Sequence, residues 1–154
     1  MKKIKLSQGK FALVDNDDFI RVSQYKWHYH YGYAVRNIKI DGKRTKIQMH
    51  RWLCNAEKNI EVDHFDGNGI NNQKINLRVC TRSQNMANIS RHSDNKSGFK
   101  GVCFHKNCNK FRARITINKK IIHLGYFDNA RSAAMAYNQA AKEKFGKFSR
   151  LNFF

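Results

Sequence analysis

Apolar and polar positions alternate with a period of two through much of the first half of the chain, and a long helical period emerges only near its end. KFALVDNDDFIRV carries an apolar run, a polar Asp/Asn turn and a second short apolar segment, a pattern that reads as strands about a turn. GYAVRNIKIDGKRTKIQMHRWL sets two alternating runs around Asp41-Gly42, a strong signal for a two-residue hairpin. The second run leads into Met49, His50, Arg51, Trp52 and Leu53, the start of a short helix. Asp66-Gly67 and Asn68-Gly69 mark turns, and Asn71-Asn72 leads to INLRVC, a strand or extended piece. Thr81 and Ser83 are both N-cap candidates for a helix through Gln84, Asn85, Met86 and Ala87.

The stretch from Ser90 to Ser97 is polar and turn-rich, and it is the candidate linker. Beyond it SGFKGVCFHKN, NKFRARITIN and KKIIHLGYF predict three short strands. A helix is expected from about Ala130 to Phe145, with Asp128-Asn129 as its cap and Gly146 as its stop. Ala130, Ala133, Ala134, Tyr137, Ala140, Ala141 and Phe145 recur along it at helical spacing, a small-residue face that lets a helix lie close to a sheet. Leu151 and Phe153 of the tail are expected to seal that core. The expected fold class is α+β, divided into residues 1–92 and 93–154.

Charge changes the picture from a fold to a partner. The chain of 154 residues has a formal net charge of +19. Residues 1–95 carry 17 Lys/Arg against 9 Asp/Glu, and residues 96–154 carry 13 against 2. An excess this large, spread over both halves, implies a polyanionic partner bound with salt-sensitive affinity. No apolar run approaches the roughly 20 residues of a membrane span, and no signal-peptide core follows MKKIKL, so no membrane partner is expected. The four cysteines, Cys54, Cys80, Cys103 and Cys108, form no paired CxxC knuckles. Free thiols are expected, and no zinc.

The chemistry gathers in EVDHFDGNGINNQKINLRVCTRSQNMAN, from Glu61 to Asn88. Asp63 and Asn85 offer oxygen atoms suited to a hard cation such as Mg²⁺. His64 points to the opposite face of a strand from Asp63, where it suits proton abstraction from water. Asn76 offers an amide oxygen to orient its ring. His50 suits either a core position or a DNA-facing one. Asp66, Asn71, Asn72 and Asn88 read as turn or helix residues.

The run VDHFDGNGINNQKINLR…SQN resembles the ββα-metal motif of HNH nucleases, in the variant of phage- and intron-encoded homing endonucleases. MHRWL and the KFALVDNDDF…YKW segment are also similar to the N-terminal part of that family. The resemblance implies that Asp63 and Asn85 are metal ligands, that His64 is the general base and that Asn76 orients it. Asn85 stands where the third His of the name would, an H-N-N pattern that argues against a zinc-preferring site. The metal implied is Mg²⁺, with Mn²⁺ as an alternative.

From Ser97 to Phe153 the chain resembles the plant ethylene-response-factor (APETALA-type) DNA-binding domain, through SGFKGV, KFRARI, IHLGYF, AAMAYNQAA and RLNF. This resemblance implies a three-stranded antiparallel sheet on one helix, with the sheet entering the major groove. Period-two spacing agrees: Phe111, Ala113, Ile115 and Ile117 share one face, and Arg112, Arg114 and Thr116 the other. Lys100, His105, Lys106, Lys110, Lys119, Lys120 and His123 flank that basic face, which suits base edges and phosphates. Cys103, His105 and His123 replace base-reading residues of the plant domains, so the target sequence does not transfer.

The expected protein is therefore a metal-dependent homing-type endonuclease acting on double-stranded DNA as a monomer or weak dimer. Its expected location is the cytoplasm of a phage-infected or bacterial host cell. The alternative is a non-catalytic DNA-binding regulator.

Overall fold

The alternating runs pair locally, and every sheet is built from strands adjacent in sequence. The computed structural model describes all residues from Met1 to Phe154, and they form an α+β chain of two compact units, Met1–Thr81 and Arg82–Phe154.

In the first unit β1 (Lys2–Lys5) pairs antiparallel with β2 (Phe11–Val14). The segment after β2 is a helix, α1 (Asn16–Ser23), not the strand its apolar residues suggested. Asp17 and Asp18 occupy its first turn, where the helix dipole favours acidic groups. Phe19 and Val22, three residues apart, turn the same face to the core. The β3 (His28–His30), β4 (Tyr33–Ile40) and β5 (Lys43–Gln48) strands form an antiparallel sheet in chain order. The β4–β5 turn is Asp41-Gly42, as expected, and both residues have positive φ, 49° and 75°, the geometry of a tight hairpin. Next comes α2 (Met49–Leu53), whose Met49 is fully buried with Ile4, Leu6, Ala12, Val14, Val22, Trp27 and Ala34.

The last pair in this unit is β6 (Glu61–His64) with β7 (Leu77–Cys80), in the register Glu61↔Cys80, Val62↔Val79, Asp63↔Arg78 and His64↔Leu77. The loop joining them is sewn to β2. Leu13 N–H donates to the Ile70 carbonyl at 2.8 Å, and Asn72 N–H to the Leu13 carbonyl at 2.8 Å. Lys74 N–H donates to the Asp15 carboxylate at 2.6 Å. The loop is thus held by the unit's own core.

The second unit begins with α3 (Arg82–Asn88), separated from β7 by Thr81 alone. By packing, α3 groups with the residues after it. Its Ser83 hydroxyl accepts from Asn118 N–H at 3.2 Å, and its final carbonyls accept from Lys100 and from Arg150 N–H. The β8 (Val102–His105), β9 (Lys110–Ile117) and β10 (Lys120–Phe127) strands form a three-stranded antiparallel sheet in the order β10-β9-β8. It packs on α4 (Ala130–Phe145). Asn129 caps α4, its side-chain oxygen accepting from Ser132 N–H at 2.8 Å, and Gly146 ends the helix. Ala133, Ala134 and Ala141 are buried on its inner face, opposite Val102, Ala113 and Ile115 of the sheet.

The segment expected as a linker is tied down at both ends. Asn95 and Ser97 side chains donate to the carbonyls of Phe99 and Val102, and Arg150 donates to Ser90. The tail differs from expectation. Phe153 is 87 % exposed, and Phe148, in the turn after α4, fills the core instead. The reason is Asn152. Its amide is bound to the Lys100 backbone and its own backbone to the Asn138 side chain, so alternation sends Phe153 outward. All four cysteines are free thiols. No helix is long and apolar enough to cross a membrane.

Gly101 has φ +76°, and a Cβ added there would overlap the Tyr137 ring. Gly101→Ala is therefore expected to destabilise the second unit by about 2 kcal/mol or more. An unchanged midpoint in chemical denaturation would contradict the close approach of this turn to α4.

Candidate active site

The β6–β7 ribbon positions two chemically distinct side chains by alternation. Asp63 and His64 are each 5 % exposed, yet they face different surroundings. The Asp63 carboxylate accepts from the Arg78 guanidinium, directly across the strand pair. His64 stands at the end of the ribbon among rings. Its imidazole lies 4.7 Å, centroid to centroid, from His50 and 5.9 Å from Tyr33.

Burial pushes the His64 pKa below the usual imidazole value, against the opposing effects of the Asn72 amide and the charges of Asp66 and Asp63. A neutral imidazole at neutral pH is what a base requires. His50 behaves similarly: burial, then the charges of His64 and Arg51, push its pKa down to about 3. His50 Nδ1 is buried without a hydrogen-bond partner. Tyr33 covers both rings, and it can do so because Gly69 has no side chain. A Cβ at Gly69 would come within 2.6 Å of the Tyr33 ring.

Asn76 is placed differently from the role expected of it. Its Nδ2 donates to Asp66 Oδ1 at 3.0 Å and to the Asn71 carbonyl at 2.8 Å, while its Oδ1 accepts from Asp66 N–H at 3.0 Å. The amide that lies nearest in effect to His64 is Asn72, fully buried and anchored through its backbone to Leu13, with both its side-chain nitrogen and oxygen buried without a hydrogen-bond partner. Asn76 thus braces the loop that carries Asn72. Burial alone would raise the Asp66 pKa. Hydrogen bonds from Asn68 N–H, Asn71 and Asn76, helped by His64, hold it below the usual carboxylate range.

Asp63 offers one oxygen ligand of the kind a hard cation takes. The carboxylate oxygen is desolvated, and a positive charge, the Arg78 guanidinium, already lies against it. Burial, then the charges of Asp63 and Glu61, push the Cys80 thiol up to about 11, so it offers no thiolate nearby. No group of three or more His, Cys, Asp or Glu gathers to hold a metal. Asn85 lies on α3, in the second unit.

The chain is 33 % identical over 151 residues to an "uncharacterized HNH endonuclease" of Acanthamoeba polyphaga mimivirus, matching 94 % of this chain and 76 % of that one. The chain belongs to the HNH endonuclease family. Protein 3.8 of Escherichia phage T7 is 30 % identical over 93 residues, which are 60 % of this chain and 76 % of that protein. No protein-family model matches the chain. No solved structure matches it.

Beyond the HNH motif, the second unit carries the basic face expected of its sheet. Cys103, His105, Lys110, Arg112, Arg114, Thr116, His123 and Tyr126 alternate away from α4 or pair across strands with those that do. His123 and His105 flank the Tyr126 ring at 4.7 and 5.4 Å, and Arg112 reaches Cys103 Sγ at 3.6 Å. Lys106 and Lys119 are exposed in the turns at the two ends of β9. Lys100 is the exception. Its ammonium is drawn inward to the carbonyls of Ala87 and Ile89 at 2.5 and 2.6 Å, where it caps α3.

Arg78, Asn72, His50 and Tyr33 were not singled out by sequence as parts of this site. The one signal for Arg78 was its place in INLRVC, a strand that had to pair with the one holding Asp63.

Asn76→Ala removes three hydrogen bonds from the loop. It should lower the stability of the first unit by about 1–3 kcal/mol and raise the Asp66 pKa. An unchanged denaturation midpoint together with an unmoved carboxyl titration by NMR would refute this bracing role.

Proposed function

We propose that this HNH protein is a metal-dependent, homing-type endonuclease that hydrolyses phosphodiester bonds in duplex DNA. The observation that carries this reading is the pairing of a desolvated carboxylate, Asp63, with a buried imidazole kept neutral, His64, on one short ribbon of a chain with net charge +19. His64 takes the proton from the attacking water. Asn72 is the amide beside its ring, and Asn76 acts at one remove by bracing the loop that carries it. Asp63 and Asn85 are the residues that would hold Mg²⁺ or Mn²⁺. When bound, the cation supplies Lewis-acid stabilisation for charge on the phosphate and on the leaving 3′ oxygen.

The sheet β8–β10 is proposed as an ethylene-response-factor-like module that anchors the protein on DNA. Arg112, Arg114, Thr116, His105 and His123 would lie toward the bases, with Lys106, Lys110 and Lys119 toward phosphates. Functionally, residues 1–92 are then the nuclease part and 93–154 the binding part. One site per chain implies nicking by a monomer, and a weak dimer would be needed for concerted cutting of both strands. The viral source of the two relatives supports action in the cytoplasm of an infected or bacterial host cell.

Supercoiled plasmid should be nicked in the presence of Mg²⁺ or Mn²⁺ and spared when EDTA is added, with His64→Ala slower by roughly a hundredfold or more. Cleavage that survives EDTA, or a His64→Ala protein as active as wild type, would leave a DNA-binding regulator as the better description. Binding should weaken steeply with salt. The double variant Lys106→Ala, Lys119→Ala should flatten the slope of log affinity against log salt by about 2. An unchanged slope would remove the sheet from the interface.

A further inference from the structure

The ribbon that holds the site is short, and one of its cross-strand pairs is ionic. Asp63 and Arg78 side chains are 5 % and 13 % exposed. As a device for stability this is a poor choice, because desolvating both charges offsets most of their attraction, and an apolar pair like the neighbouring Val62↔Val79 would join the strands as well. What the pair does achieve is to keep a negative charge in a desolvated place where it would otherwise be untenable. Arg78 also has a second seat. Its guanidinium carbon lies 5.0 Å from the centroid of the Phe65 ring, which is 60 % exposed.

We propose that Arg78 is an internal counter-cation that a divalent metal displaces from Asp63, so that Arg78 sets how tightly the site takes its metal. This inference rests on Asp63 being a metal ligand, as proposed above. A doubly charged ion attracts the carboxylate more strongly than a guanidinium does, and the two like charges repel each other at one carboxylate. The displaced guanidinium keeps its contact with the Phe65 face, so leaving Asp63 does not strand it. Without metal, Arg78 keeps the ribbon intact. With metal, the freed guanidinium adds a planar set of donors beside the site, suited to a phosphate.

The test measures Mn²⁺ affinity at neutral pH and low salt, from the electron paramagnetic resonance signal of free Mn²⁺, together with thermal melting with and without Mn²⁺. Wild type should bind Mn²⁺, and Asp63→Asn should not. Arg78→Met should bind on the order of tenfold more tightly than wild type, equivalent to removing a competitor worth about 1.4 kcal/mol. It should also melt lower than wild type without metal and close to wild type when saturated. Arg78→Lys, which keeps the charge but loses the fork, should tighten binding less.

Should Arg78→Met fail to fold, the Arg78 side-chain Nε–H resonance of the wild type gives the same information. It should shift on Mg²⁺ titration and saturate with the metal. Asp63-dependent binding that is no tighter in Arg78→Met, or an Arg78 resonance unmoved at saturating Mg²⁺, overturns this inference alone. Wild-type protein with no Asp63-dependent metal binding overturns both this inference and the metal assignment beneath it.

Discussion

A carboxylate buried in a two-stranded ribbon is the constraint on which the first unit turns. Asp63 is nearly inaccessible, and its charge is compensated across the strand pair by Arg78. Such a group persists only where the surroundings are rigid enough to hold its partner in place. The rigidity comes from outside the ribbon. The β6–β7 loop is hydrogen-bonded to β2 through Leu13 and to Asp15, and β2 belongs to the main core with Met49, Val14 and Val22. The same sewing delivers Asn72 to His64 and allows Gly69 to meet Tyr33, so the core that supports the carboxylate also shapes the surroundings of the imidazole.

The two units divide the physical tasks. The first holds Asp63 and His64 in a dry, ring-lined setting, where desolvation keeps His64 neutral. The second spreads cationic and aromatic side chains over an open sheet, with an Ala-rich helix supporting the opposite face. Charge is spent differently in each. Arg78 is internal, whereas Arg114, Lys106 and Lys119 are left to solvent. Lys100 shows how sequence position misleads here: it stands beside the basic face but serves the carbonyl end of α3, so its contribution is structural.

Local patterns were the legible ones. Asp41-Gly42 specified its hairpin because only a few residue pairs accept two positive φ values in succession. The bounds of α4 followed from Asn129, Gly146 and the spacing of its alanines. The faces of β9 followed from strict alternation, and Ala113 and Ile115 are buried while Arg114 and Thr116 are not. Asp63 and His64 stood out only through their spacing from Asn76 and Asn85 and the resemblance these residues carry together, since an Asp-His pair by itself suits an ordinary turn. Long-range partners were not legible. Nothing local says that Asn72, rather than Asn76, is the amide that acts on His64, because that depends on how β2 captures the loop. Nor does periodicity place Phe153 outside, since its direction is decided by a hydrogen-bond clasp between Asn152, Asn138 and Lys100. The α1 helix was missed for a related reason: five or six apolar and acidic residues suit a strand or a helix equally until packing chooses.

The Asp63 carboxylate is the proposed seat of the metal in this HNH site. Crystals of the protein soaked in Mn²⁺ and measured near the manganese absorption edge test it most directly. An anomalous difference peak is expected within about 2.5 Å of an Asp63 carboxylate oxygen. A well-occupied peak elsewhere on the protein, with Asp63 still bound to Arg78, would contradict it.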